Sequence, residues 1–283
     1  MSRPLVSVIC LCYNHATYVK EALQSVIDQT YPSVELIVVD DASTDNSAEV
    51  IKDFFKSGSQ AKFIQLKNNI GNCAAFNKGL EVSTGEYIID LAADDVLLPN
   101  RIEEGVKVFQ NADKKLGVQF SDAQLIDSKG NAVGFHSDKY PHNTIPQGDV
   151  YQDIIERFFI LSPTMLIKRE VLELLNGYDE QLAYEDFDFW VRSSRHYAYM
   201  YIPRPLMKRR LLSNSMNNQQ FVKGSEQLRS TFLVCRKINE LNETPEEKKA
   251  LINRIYYEIR VCLKLFDFSL AIDYFRLLRD VKS

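Results

Sequence analysis

The sequence predicts an α/β fold, with a mostly parallel central sheet, helices on both faces and a helical C-terminal extension. Three observations carry that prediction. Near-continuous apolar, β-branched runs alternate with helix-period stripes from Leu5 to Ala92. Two of those runs end in adjacent carboxylates, Asp40-Asp41 and Asp94-Asp95. From about Phe221 onward the apolar spacing is helical. Strands buried on both faces read as unbroken apolar runs, and alternation with helices implies right-handed crossovers in a parallel sheet.

"LVSVICLC", residues 5–12, is the first such strand. "TYVKEALQSVIDQ" follows as a helix with Val19, Ala22, Leu23, Val26 and Ile27 on one stripe, and "YPSVE" breaks it. "VELIVVDDAST", Val34 to Thr44, is the second strand, and Asp45 or Asn46 is a cap for the next helix. "AKFIQL", "NCAAFNKGLEVS" and "EYIIDLA" continue as strand, helix and strand, the last leading into "DLAADDVLLP", Asp90 to Pro99. Beyond it, "VQFSDAQLIDSKGNAVG" is a hairpin around Ser128-Lys129-Gly130, and "HSDKYPHNTIPQGD" reads as a polar, Pro-bearing loop able to cover a site. "PTMLIKREVLELLNGYDE" returns to strand then helix. Thr244-Pro245-Glu246-Glu247 is a helix start with a cap residue, a proline at the first position and a glutamate at the third. Leu251, Ile255, Ile259, Cys262 and Phe266 mark the buried stripe that follows.

Composition narrows the function classes. The 283 residues are 45% hydrophobic and 25% charged with a net charge of −4, ordinary for a globular chain and no footprint for a nucleic-acid partner. No apolar run approaches the roughly 20 residues of a membrane span, and the N-terminus enters a strand without a signal-peptide pattern. Five cysteines in apolar contexts read as reduced core residues of a cytoplasmic protein. The four histidines are scattered without zinc spacing.

In open α/β sheets ligands bind at the carboxyl ends of the strands, where Tyr13, Asp40, Asp41, Asp94 and Asp95 all fall. Adjacent carboxylates there need a cation, a cluster of N–H groups or open water. No G-x-G-x-x-G or G-x-x-x-x-G-K-[ST] cradle occurs. The loop after the first strand, "CYNHATY", offers instead the aromatic face of Tyr13 and the amide of Asn14, and Asp41 can accept an N–H from a base edge. Core filling is the alternative for Tyr13. Downstream, "GYDEQLAYEDFDFWVRSSRHY" sets Glu185, Asp186 and Asp188 beside Phe187, Phe189 and Trp190, a partly desolvated setting that suits a carboxylate to general-base work. An acidic first helical turn is the alternative there.

The segments from "VSVICLCYNHATYVK" to "VVDDASTDNS", then "NNIGNCAAFNKGL", "GEYIIDLAADDVLLPNRI" and "GYDEQLAYEDFDFWVR" resemble, in order, the motifs of family 2 of the nucleotide-sugar glycosyltransferases. The resemblance implies the A-type glycosyltransferase fold, Rossmann-like, with inversion at the anomeric carbon. It implies a nucleoside-diphosphate sugar donor with uridine favoured, a Mn2+ or Mg2+ ion, and an acceptor hydroxyl on a glycan or lipid-linked carrier. Tyr13 and Asp41 take the base-pocket role, Asp94 the metal-binding role, and Asp95 orients the cation or a ribose hydroxyl. Asn69, Gly71, Asn77 and Gly79, with Lys78 among them, match the helix start near the donor. Asp186 takes the role of catalytic base, tuned or positioned by Glu185. Four positions depart from the family pattern. The usual Asp-x-Asp-Asp reads Ala92-Ala93-Asp94-Asp95, the common arginine before Asn77 is Phe76, the common proline of the first strand is Leu11, and the histidine of a later stretch is Leu212.

The expected organisation is a catalytic domain over 1–220, with a nucleotide-sugar half (1–105) and an acceptor half (106–220), and a helical extension over 221–283. The expected activity is hexosyl transfer in bacterial surface polysaccharide or glycoconjugate assembly, in the cytoplasm or at the inner face of the membrane. The alternatives are a non-catalytic nucleotide-sugar binder and a sugar nucleotidyltransferase. Residues 223–282 hold twelve Lys and Arg against nine Asp and Glu, so this segment is +3 while the remainder is −7. Such a tail can pack on the catalytic domain, pair with a second subunit or rest on an anionic membrane, and packing or pairing is the default for amphipathic helices of mixed charge.

Overall fold

The computed structural model describes residues 3–56, 61–140, 144–212 and 222–283. Four parallel strands begin the chain: β1 (Val6–Cys12), β2 (Val34–Asp40), β3 (Ala61–Gln65) and β4 (Tyr87–Ala92). They are linked by α1 (Val19–Ile27), α2 (Ser47–Lys56) and α3 (Asn72–Val82). β1 lies between β2 and β4 and is buried on both sides. Its side chains alternate between two cores. Val8 and Cys10 join α1, α2 and α4 (Arg101–Gln110), whereas Ile9 joins Phe76 of α3 on the other face. α3 approaches β1 so closely that a Cβ on Gly79 would stand 2.4 Å from Ile9 Cγ2, which is why a residue without a side chain sits there. On α1, Val19, Ala22, Leu23 and Val26 are buried as predicted, but Ile27 at the last turn is 47% exposed.

The sheet continues through shorter and antiparallel pieces. These are β5 (Val96–Leu97), β6 (Leu116–Ile126), β7 (Ala132–Phe135), β8 (Leu166–Lys168) and β9 (Ala198–Arg210). Among the described residues the order is β3-β2-β1-β4-β8-β6-β9-β5, with β7 paired to β6. β8 runs antiparallel to β4 and β6, so the sheet is parallel in its first half and mixed in its second. The β6/β7 hairpin turns where expected, with Gly130 N–H donating to Asp127 O. The polar segment 136–149 begins packed rather than as a loop: His136 is buried in a 3-10 turn with its ring 3.2 Å from Phe159 O, while 141–143 lie outside the described residues.

Three further helices, α5 (Tyr151–Glu156), α6 (Arg169–Leu175) and α7 (Asp186–Ser194), cover the second half. The tail forms α8 (Glu226–Leu241), α9 (Pro245–Lys264) and α10 (Phe268–Lys282). The capping box at Thr244 is formed as read, with Thr244 Oγ1 accepting Glu247 N–H at 3.2 Å. Leu251, Ile255, Ile259 and Cys262 are buried in the same apolar cluster as Phe76, Phe187 and Trp190, whereas Phe266, the last of the predicted stripe, is 66% exposed. The tail packs on the second half of the preceding fold, α9 against α5 and α8 against α7. No helix among the described residues is long and apolar enough to cross a membrane. All five cysteines are buried and free.

Candidate active site

The end of β1 gathers the loops that follow its two neighbours. Cys12 O accepts Asp41 N–H and Leu11 O accepts Ala93 N–H, both at 2.9 Å, so the segments bearing Asp41 and Asp94 flank Tyr13. Tyr13 is 45% exposed, so core filling does not describe it and its ring is free to face a ligand. Asn14, with φ +59, turns its carboxamide inward: Oδ1 accepts Thr44 N–H at 2.7 Å and Asp45 N–H at 3.3 Å, clipping the first loop to the second. Asp41 is buried and braces the approach to α3, its two oxygens accepting Ile70 N–H at 2.8 Å and Gly71 N–H at 3.0 Å. Asn69 Nδ2 donates to Asp41 O. Gly71 takes φ +85 at the N-cap of α3, a conformation that favours glycine.

At the end of β4 the two predicted carboxylates have different surroundings. Asp95 is buried and accepts the backbone N–H of Arg210 at 2.8 Å, fastening the end of β9 to this loop. Burial first, then the neighbouring Asp94, pushes its carboxyl up to about 8. Asp94 is half-buried, and its carboxylate accepts no hydrogen bond from the described residues. Beside it, Arg210 is buried, with Nε on Asp94 O at 2.9 Å, Nη2 on Glu21 Oε2 at 2.7 Å and its guanidinium 4.6 Å from the Tyr18 ring centroid. This cation fixed under the carboxylate loop escaped the sequence reading, although an Arg-Arg pair closing a strand was the available signal.

The second predicted cluster forms at the start of α7. Glu185 is buried, and Asn72, the first residue of α3, donates Nδ2–H to its Oε2 at 2.6 Å. Desolvation, then Asp186 and Asp90, raise the Glu185 carboxyl well above the usual range. Asp186 is half-buried, and its Oδ1 is shielded from solvent without a partner among the described residues. Asp90, inside β4, belongs to this group: burial and the charge of Asp186 push it up to about 7. Buried Tyr178 completes it, stacked on Phe76 at 4.1 Å, so the residue standing where an arginine is common forms the apolar floor. The signal missed for Asp90 was a carboxylate in the middle of an otherwise apolar strand.

Other candidates are drawn elsewhere. Asp188 is buried between two cations, Arg192 Nε and Lys237 Nζ, each at 2.6 Å, which removes it as a base and ties α8 to α7. The Asn77 side chain is a strut, exchanging hydrogen bonds with the Tyr178 backbone at 2.9 Å both ways. Lys78 is exposed and paired with Glu81, so the structure does not bring it to the other donor candidates. Residues 213–221, which hold most of the "RRLLSNSMN" stretch, lie outside the described residues.

The residues present fit a hard divalent cation held mainly by substrate. No three His, Cys, Asp or Glu side chains among the described residues form a metal cluster, yet Asp94 offers an uncommitted carboxylate at the strand end. Mg2+-type sites commonly use one or two carboxylates plus phosphate oxygens.

Comparison with known proteins gives the family and the fold. Residues 7–174 match the model of glycosyl transferase family 2. An uncharacterised glycosyltransferase of Methanocaldococcus jannaschii is 30% identical over 277 residues, covering 96% of this chain and 88% of its own. TuaG of Bacillus subtilis, whose name assigns it to teichuronic acid biosynthesis, is 27% identical over 241 residues, with 85% and 90% covered. Among solved structures, the mannosyltransferase PcManGT of Pyrobaculum calidifontis, in complex with GDP-Man and Mn2+, superposes with a TM-score of 0.68 at 18% identity, over 100% of this chain and 85% of that one. S. aureus TarS 1-349 in complex with UDP-GlcNAc gives 0.67 at 18% identity over 98% and 90%. These likenesses confirm the A-type glycosyltransferase fold, and the family match over more than half the chain carries the classification. The chain belongs to glycosyl transferase family 2, and is a glycosyltransferase.

Proposed function

We propose that the chain catalyses metal-dependent, inverting transfer of a sugar from a nucleoside-diphosphate sugar to an acceptor hydroxyl, in assembly of a bacterial surface polysaccharide or glycoconjugate in the cytoplasm. The observation that carries this reading is the division of the site into two unlike carboxylate groups. One holds an open carboxylate, Asp94, over the buried cation Arg210. The other holds a shielded, unpartnered oxygen of Asp186 beside Glu185 and Asp90, whose carboxyls burial and like charge push upward. Tyr13 stacks on the base of the donor. Each oxygen of Asp41 accepts one N–H and keeps a lone pair for the N–H edge of a base. The family resemblance favours a uridine donor. A surface-glycan setting is supported by the name of TuaG.

In this reading Asp94 would hold a divalent ion, which when bound would supply charge neutralisation for the diphosphate leaving group. Asp186 accepts the proton of the acceptor hydroxyl as its oxygen attacks the anomeric carbon from the face opposite the diphosphate. Glu185, whose carboxyl burial pushes upward, is held by Asn72 and fixes the start of α7. Phe76 and Tyr178 exclude water from beneath the cluster.

The deciding experiment incubates the full chain with labelled UDP-sugars, Mn2+ and a lipid-linked glycan extract. Transfer of label, lost in Asp94→Ala together with the Mn2+-dependent thermal shift by donor, is the expected outcome. A ligand at 100 times its dissociation constant contributes about 2.7 kcal/mol to that shift. Binding without turnover would identify a sensor, and pyrophosphate release would identify a nucleotidyltransferase.

A further inference from the structure

The corner where α9 meets α10 exposes apolar surface that the fold itself leaves unused. α10 carries two stripes. Leu270, Tyr274, Leu277 and Val281 are buried against α8 and α9. On the outer face Phe268, Ile272 and Phe275 are 58%, 51% and 50% exposed, and the same spacing continues into Arg279 and Lys282. Phe266 projects beside them. It occupies the left-handed position of the turn that ends α9, where Asp267 N–H donates to Cys262 O at 2.9 Å and Phe266 N–H to Leu263 O at 3.2 Å. Glycine is the usual residue at that position. A strained, exposed phenylalanine in its place gives the fold no burial in return.

The charge around this apolar centre chooses its partner. Arg260, Lys264, Arg276, Arg279 and Lys282 are all exposed here. Two of the nearby acids are already engaged: Asp267 caps α10, and Asp273 pairs with Arg229 at 2.9 Å and Arg276 at 3.3 Å. A second copy seated on this face by a twofold axis would set the basic rim against itself. An anionic lipid surface accepts aromatic side chains at headgroup depth and Lys and Arg on its phosphates. Two shallow clefts flank Phe275, one bearing Arg260 and the other Arg279 and Lys282, each suited to a phosphate oxygen.

We propose that the α9–α10 corner docks this protein on an anionic lipid surface, with Phe266, Phe268, Ile272 and Phe275 entering the interfacial layer and Arg260, Lys264, Arg279 and Lys282 meeting the phosphates. Such docking stands apart from the transfer reaction and from the identity of the donor.

The test uses the full chain and flotation with vesicles of phosphatidylglycerol and phosphatidylcholine in equal parts, or of phosphatidylcholine alone. Anionic vesicles should capture at least about tenfold more protein at low salt, because each basic residue near such a surface is worth about fivefold in partition. Phe268→Ser/Ile272→Ser/Phe275→Ser should abolish capture while melting temperature and donor binding persist. Arg279→Gln/Lys282→Gln should weaken capture by about twenty-fold at low salt. Phe266→Gly should lower capture while leaving the fold at least as stable, since the turn favours glycine. Equal capture by neutral vesicles, no capture at all, or a dimer in sedimentation velocity that the apolar variant splits would each overturn the proposal.

Discussion

At the end of β4, Asp94 and Asp95 lie against the side chain and backbone of Arg210; at the start of α7, Glu185 and Asp186 meet an amide and another acid. Two cations on and beside α7, Arg192 and Lys237, are both taken by Asp188. Both places put carboxylates where water is scarce, so both must offset like-charge repulsion and desolvation. The first sets the Arg210 guanidinium beside the open carboxylate of Asp94, while burial and Asp94 still push Asp95 up to about 8. The second is flanked by the Asn72 amide, and burial with mutual repulsion pushes Asp90 up to about 7 and Glu185 upward. In the proposed reaction the first group would serve the diphosphate and the second the acceptor hydroxyl.

Breaking the second group should have the largest effect. Asp186→Asn is expected to lower turnover by about 10²–10⁴-fold, the contribution typical of a general base, because an amide cannot take the hydroxyl proton at neutral pH. Donor affinity, read by calorimetry, should be unchanged. Near-normal turnover would move the role to Glu185.

Breaking the first group should show as stability. Arg210→Met removes the guanidinium held by Asp94 O and the half-exposed Glu21 and should cost about 1–3 kcal/mol in urea unfolding, the penalty for leaving a buried polar group without its partner. Adding Asp95→Asn should recover part of it. A double variant no more stable than the single one would show that Arg210 acts through other contacts.

The smallest effect sharpens the comparison through pH. Asp90 holds its proton up to about pH 7 in the folded chain, against an unfolded value near 3.9. Between those values the folded state binds the proton that the unfolded state has lost, so its contribution to stability falls as pH rises and levels off above about 7. Asp90→Asn should therefore match the parent near pH 4 and exceed it by a margin that grows as pH rises toward 7 and then levels off. A stability difference that does not vary with pH would mean that Asp90 ionises normally.

The tail shows how far amphipathic spacing reaches and where it stops. Leu251, Ile255 and Ile259 are buried as the stripe predicts, but the same spacing placed Phe266 inside and Ile27 of α1 inside, and both stand exposed. Each lies at a helix end, where the chain turns away and the period no longer describes one face. What α8 does was not legible at all. Ser230 Oγ accepts Ala183 N–H at 2.9 Å, Tyr184 and Thr231 hydroxyls lie 2.7 Å apart, and Lys237 spans Asp179 and Asp188. The helix thus braces the loop that delivers Glu185 and Asp186.

By itself the sequence determined the parallel first half, the strand ends where Tyr13, Asp41 and Asp94 fall, and the acidic start of α7. Those follow from periodicity and from motifs contiguous in the chain, which local propensity and burial suffice to fold. Only the tertiary structure decided which carboxylates face a cation and which face one another. Arg210 reaches Asp94 and Asp95 across more than a hundred residues, and Asp90 feels the charge of Asp186 only because the fold brings β4 and the start of α7 near each other. Charge compensation depends on distance and on the water excluded between groups, and neither is set until the chain has folded.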